Sequence, residues 1–84
     1  MDIVSLKRRA LGLEPVVRIG KKGLTDETVQ EIKKQLKKKK LIKIKVLRSG
    51  LEDIGIKELT DRLVEETGSV LVSRVGFVVV LFLG

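Results

Sequence analysis

Gly20-Lys21-Lys22-Gly23 is the stretch of this chain whose residue types and spacing could do chemistry. An extended apolar run, Val16-Val17-Arg18-Ile19, leads into it, and Leu24-Thr25-Asp26 opens a helix immediately after. Two glycines let the backbone turn sharply and approach a ligand closely, two ammonium groups stand between them, and the N–H groups of a helix start follow. The chemistry on offer is the gripping of phosphate.

Other chemistry is excluded by what the chain lacks. With no histidine and no cysteine, Ser-His and Cys-His nucleophile pairs and metal sites built on nitrogen or sulfur ligands cannot form. Glu65 and Glu66 are neighbours on a predicted helix and point in different directions, while Asp26, Glu27 and Glu31 suit a helix dipole and a solvated face. The chain is therefore expected to be non-catalytic, with no cofactor, no metal and no small-molecule substrate. A nucleotide-binding P-loop needs four residues between its glycines and Lys-Ser/Thr after the second, an order that Gly20 to Thr25 does not have.

The elements that must position the turn alternate along the chain. Ile3, Leu6, Ala10 and Leu13 recur at helical spacing, with Arg8 opposite and Lys7 and Arg9 on the flanks, until Gly12 and Pro15 stop the helix. Val16 to Ile19 read as a first strand. Thr25 is the expected N-cap of a second helix whose buried stripe is Val29, Ile32 and Leu36, with Asp26 and Glu27 in its first turn. Lys37-Lys38-Lys39-Lys40 form its last turn, which suits the negative end of the dipole and lies about 20 Å from the glycines at ~1.5 Å per residue. Lys34 and Lys38 point away from the core.

Leu41 to Leu47 alternate cleanly, Ile42, Ile44 and Val46 on one face and Lys43 and Lys45 on the other, which predicts a strand with one wet side. Ile56, Leu59 and Leu63 mark a third helix, supported by a Glu58/Arg62 pair and closed by Gly68. Val70 to Val75 and Phe77 to Leu83 flank Gly76, too close for anything but a hairpin. The last of these strands is apolar throughout, which predicts a place inside the sheet with both faces covered.

A chain of 84 residues with one proline makes one small domain spanning residues 1–84. Its core must be thin, so nearly all of the apolar segments are committed to the fold. The longest apolar run, Val75 to Leu83, falls far short of the ~20 residues that cross a bilayer. A soluble, cytoplasmic protein with no membrane partner is expected. The net charge of +7 is one-sided. Residues 1–50 hold 15 Lys/Arg against 5 Asp/Glu, whereas residues 51–84 hold 3 against 6. Such asymmetry focuses positive potential and draws polyanions.

Nucleic acid is the polyanion that the turn suits best. Phe77 and Phe82 are the only aromatics, so backbone gripping is favoured over base stacking on aromatic platforms. A Gly-x-x-Gly turn lets a phosphodiester lie against main-chain N–H groups, as in the clamp of KH domains. Two other classes stay open on the residues alone. One is a protein-interaction module whose basic face meets an acidic partner; the other is a binder of double-stranded DNA, although no helix-turn-helix spacing is present.

The run Leu13-Glu14-Pro15-Val16-Val17-Arg18-Ile19-Gly20-Lys21-Lys22-Gly23-Leu24-Thr25 resembles the CRM domain, named for chloroplast RNA splicing and ribosome maturation. The likeness continues through Glu31-Ile32, Leu41-Ile42-Lys43-Ile44-Lys45 and Glu66-Thr67-Gly68 to the Val75-Gly76 hairpin, covering nearly the whole chain. It implies an α/β fold of the two-layer α+β kind, α-β-α-β-α-β-β, with a mixed four-stranded sheet in the order 1-2-4-3, resembling the C-terminal domain of translation initiation factor three. It also implies a stand-alone prokaryotic member that binds RNA, the ribosomal RNA of a large-subunit precursor, as a monomer. By position, the binding loop is Gly20, Lys21, Lys22 and Gly23, extended by Arg8, Arg18, Lys34, Lys37 and Lys38. Two departures stand out. Lys39-Lys40 replace a His-Glu pair common in the family, which strengthens attraction to phosphate, and Phe77 replaces a frequent lysine, which removes one candidate contact.

Overall fold

The computed structural model describes residues 2–51 and 54–84. Asp2 starts the first helix, α1 (Ile3–Ala10), its carboxylate accepting from the Val4 N–H at 3.1 Å and from the Ser5 hydroxyl at 2.8 Å. Leu6 and Ala10 are buried as the periodicity predicts. Leu13 is not, because the helix ends before it and leaves it at the surface. β1 (Pro15–Ile19) follows, and then α2 (Asp26–Lys39), capped by the Thr25 hydroxyl, which accepts from the Thr28 N–H at 3.2 Å. The predicted stripe Val29, Ile32 and Leu36 is the buried face of α2.

Lys40 does not continue that helix. It adopts φ 67°, a conformation that a side chain disfavours, and the chain turns there into β2 (Leu41–Val46). Two bonds hold it: its N–H donates to the Leu36 carbonyl and its carbonyl accepts from the Leu83 N–H, each at 2.8 Å. A short 3-10 turn over Arg48–Leu51 leads towards α3 (Ile56–Thr67), which Gly68 closes at φ 66°. Arg62 pairs with Glu66 at 3.7 Å, not with Glu58; the other described ion pair on this helix is Lys57 with Asp61 at 3.8 Å. β3 (Val70–Val75) and β4 (Val78–Phe82) complete the chain, joined by the two-residue turn Gly76-Phe77 with Gly76 at φ 58°.

The sheet runs β1-β2-β4-β3, with β1 and β2 parallel and the other two pairings antiparallel. This is the mixed order the family resemblance implies. β4 lies between β2 and β3, which explains why it is apolar at every position. Val79 and Leu81 face α2 and α3 in a core with Ile19, Ile32, Ile42, Ile44, Leu59 and Leu63, all at most 1% exposed. Burying each of these side chains contributes on the order of 1.5–3 kcal/mol. Val80 faces the other way, into a smaller cluster with Leu6, Ala10, Leu41 and Val72. Thus α1 covers part of the face on which Lys43 and Lys45 lie, and only the rest of that face is wet.

Candidate nucleic-acid interface

The glycine turn begins where β1 stops. Ile19 is buried, and its carbonyl accepts from the Leu47 N–H at 2.8 Å, which ties the end of β1 to the end of β2. The Gly23 N–H then donates to the Gly20 carbonyl at 2.8 Å, closing a tight turn with Lys21 and Lys22 at its tip. Gly23 sits at φ 69°, a conformation that glycine adopts without the steric cost a side chain would bring. Gly20 has no such requirement: its φ is not positive, and a β-carbon there would meet nothing closer than Leu47 Cδ1 at 3.6 Å.

Lys21 and Lys22 are exposed, and neither forms an ion pair among the described residues. The helix start contributes less than the sequence suggests. Thr25 already occupies the Thr28 N–H, and Asp26 and Glu27 place two carboxylates in the first turn, where they compete with any anion for the dipole. The exposed ammonium groups of Lys21 and Lys22 and the turn's own backbone are what the turn presents to solvent.

Beside the turn lies a cleft of about 330 Å³, floored by Gly50 and Ile54 and walled by Lys21, Lys22, Ser49 and, from α3, Glu58 and Arg62. Arg62 is half exposed and held 3.7 Å from Glu66, so it adds a third cation at the far wall. Sequence reasoning missed this second wall. The residue pattern places Leu47 at the end of a strand and gives Arg48-Ser49-Gly50 no role, and only the tertiary fold sets this segment against the glycine turn, with Gly50 directly beneath the carbonyls of Ile19 and Gly20. The polar Ser49 and Gly50 so soon after a strand were the available signal.

The other predicted cations fall into separate groups. Arg18 is exposed on β1, two residues before the turn. Lys34, Lys37 and Lys38 are exposed on α2, and at ~1.5 Å per residue Lys38 stands about 18 Å along the helix from Asp26. Arg8 is exposed on α1, which packs on the opposite face of the sheet from α2. The fold brings together Gly20, Lys21, Lys22 and Gly23 with Arg18 adjacent; it puts the α2 lysines and Arg8 on different layers. Among the described residues, no cluster of carboxylates could hold a metal ion, and no helix is long and apolar enough to cross a membrane.

Fold and site define a small mixed α/β domain that presents a lysine-bearing Gly-x-x-Gly turn beside a polar cleft. The chain belongs to the CRS1 / YhbY (CRM) domain family, whose model matches residues 2–82. It is 38% identical over 77 residues to a Methanocaldococcus jannaschii protein named Probable RNA-binding protein MJ0652, a match spanning 92% of this chain and 57% of that one. It is 32% identical to Probable RNA-binding protein YqeI of Bacillus subtilis and 35% identical to an RNA-binding protein of Haemophilus influenzae, spanning 78% and 76% of their lengths. The chain thus spans little more than half of the archaeal relative. The solution structure of protein SAV1595 from Staphylococcus aureus superposes with a TM-score of 0.79 at 32% identity, covering 98% of this chain and 83% of that one.

Proposed function

We propose that this protein is a non-catalytic RNA-binding protein that grips the phosphate backbone of ribosomal RNA during assembly of the large ribosomal subunit, acting in the cytoplasm as a monomer. The observation that carries the reading is the pair Lys21 and Lys22, exposed and without an ion-pair partner among the described residues, at the tip of a turn whose geometry Gly23 and Gly50 fix. The names of the relatives support RNA as the partner. Phosphate contacts give affinity without reading sequence, and the cleft beside the turn offers Ser49, Glu58 and Arg62 as hydrogen-bonding groups for a nucleotide drawn in by the lysines.

Arg18 extends the contact directly, and Lys34, Lys37 and Lys38 extend it along α2 where a large folded RNA reaches over that layer; Arg8 serves only an RNA that wraps the far side. With about five phosphates neutralised, affinity for a ribosomal RNA fragment should fall roughly a hundredfold between 50 and 200 mM salt, at a slope near −0.7 per contact. Fluorescence anisotropy across a salt series tests this. A flat response, or an unchanged response in a folded Lys21→Ala/Lys22→Ala variant, refutes the reading. Retention of the protein on pre-ribosomal particles after nuclease digestion would favour a protein-docking module instead.

A further inference from the structure

Two cross-strand rows share the face of the sheet that α1 partly covers. One consists of Arg18, Lys45, Val78 and Val75; the next of Pro15, Lys43, Val80 and Ser73. Paired residues project to the same side of a sheet. Between these rows and the end of α1 lies a groove of about 280 Å³, floored by Val75, Val78, Val80 and Ala10, with Leu11 on one lip. The ammonium-bearing residues Lys7 and Lys43 border it. Leu11 is 82% exposed and Val75 75% exposed, so large apolar groups stand in water around a hollow. An apolar hollow rimmed by polar groups is the kind of surface on which a partner of mixed character can settle.

Charge selects the occupant. The groove and its two rows contribute Lys7, Lys43, Lys45 and Arg18 and, among the described residues, no carboxylate. Arg18 precedes the glycine turn by two residues, so these cations continue to Lys21 and Lys22 around the end of β1. An apolar hollow bordered by a line of cations matches a chain that alternates flat apolar groups with anions, which is an unpaired nucleic-acid strand. A duplex keeps its bases stacked inside and has none to place in the hollow.

We infer that the open sheet face holds a single-stranded RNA segment, its phosphates on Arg18, Lys45 and Lys43 and one unstacked base lodged between Leu11, Val75 and Val78. The inference rests on the RNA-binding reading above and adds to it a strand class and a second contact face. The sheet is three strand spacings wide, about 14 Å at ~4.8 Å each, so the segment is a few nucleotides long.

The test measures binding of the whole chain to a labelled ten-nucleotide oligouridine and to a blunt RNA duplex of the same length, across a salt series. Leu11→Ser/Val75→Ser should weaken oligouridine binding about fivefold, the order expected for losing the burial of one or two methylene groups against a base, with the salt slope and duplex binding unchanged. Lys43→Ala/Lys45→Ala should make the oligouridine slope shallower by about 1.4. If Lys21→Ala/Lys22→Ala weakens binding of both RNAs while the other two variants match the parent, the inference fails and the RNA-binding reading stands. If no variant alters either RNA, both fail. If Leu11→Ser/Val75→Ser changes only self-association in sedimentation, the groove is a protein contact and the inference is overturned. Photo-crosslinking of the unaltered protein to 4-thiouridine oligonucleotides gives a check free of folding effects: adducts within residues 7–11 or 73–80 support the proposal, and adducts confined to residues 20–24 overturn it.

Discussion

A β-carbon on Gly50 would lie 2.9 Å from the carbonyl oxygen of Ile19 and 3.0 Å from that of Gly20. Both obstacles are backbone atoms, and the Ile19 carbonyl is already bound to the Leu47 N–H at 2.8 Å, so neither can swing aside as a flexible side chain would. The absence of a side chain at Gly50 lets the second wall of the cleft press against the base of the Gly-x-x-Gly turn. Gly50→Ala should therefore destabilise the protein by about 1–3 kcal/mol, the usual cost of overpacking. Urea unfolding of the variant checks this, and Gly20→Ala, which meets only ordinary contacts, is the control expected within about 0.5 kcal/mol of the parent.

Gly23 presents the converse case. Nothing lies within 4 Å of a β-carbon placed there, yet its φ of 69° penalises any side chain. Gly23→Ala should cost about 1–2 kcal/mol through backbone strain alone, and Gly23→Asn less, because asparagine tolerates the left-handed region. Thermal melts of the pair separate strain from crowding.

Lys21 and Lys22 are exposed and unpaired among the described residues, so replacing both by alanine should leave the melting temperature where it was. On the RNA-binding reading, the same change should weaken binding to many RNAs alike and make the salt slope shallower by about 1.4 for a single strand. Paired melts and anisotropy titrations on one preparation decide it.

At Lys40 the backbone holds φ 67° because α2 must end and turn into β2 within one residue. Lys40→Gly should stabilise the fold by up to about 1 kcal/mol, the relief of strain outweighing the added freedom of the unfolded chain. In a domain of this size that is a rise of several degrees in Tm, about 4–8 °C per kcal/mol.

Asp2 caps α1, and the Ser5 hydroxyl, with the Ser5 and Val4 N–H groups behind it, holds its carboxyl below the ordinary value of 3.8. A carboxyl lowered by folding favours the folded form above its unfolded value and ceases to do so as pH falls through the folded one. The start of α1 should accordingly loosen only below the ordinary aspartate range. Amide resonances of Val4 and Ser5 followed from pH 6 to pH 2 should report it, and Asp2→Asn should abolish the dependence.

Much of the architecture is legible in the residue order because it is set by neighbours along the chain. Thr25 caps α2, Gly68 closes α3, Val29, Ile32 and Leu36 share one helical face, and the unbroken apolar run of β4 requires strands on both sides and cover on both faces. The glycine turn and its lysines are equally local. A hydroxyl three residues ahead, a period of 3.6 or 2, or a positive φ each depends on a few adjacent residues, so a sequence can state them.

What the tertiary structure alone decided depends on segments far apart in the chain. Gly50 lies under Gly20 only because β1 and β2 pair in parallel at one register, and Arg62 reaches the cleft only because α3 packs beside it. Arg8 and Lys38, alike in sequence as exposed cations on amphipathic helices, end on opposite layers because α1 and α2 bury their stripes against opposite faces of one sheet. Charge counted along a chain carries no sign of which side of a sheet it will occupy; that is fixed when apolar faces choose partners, a choice made by packing across distances no local pattern spans.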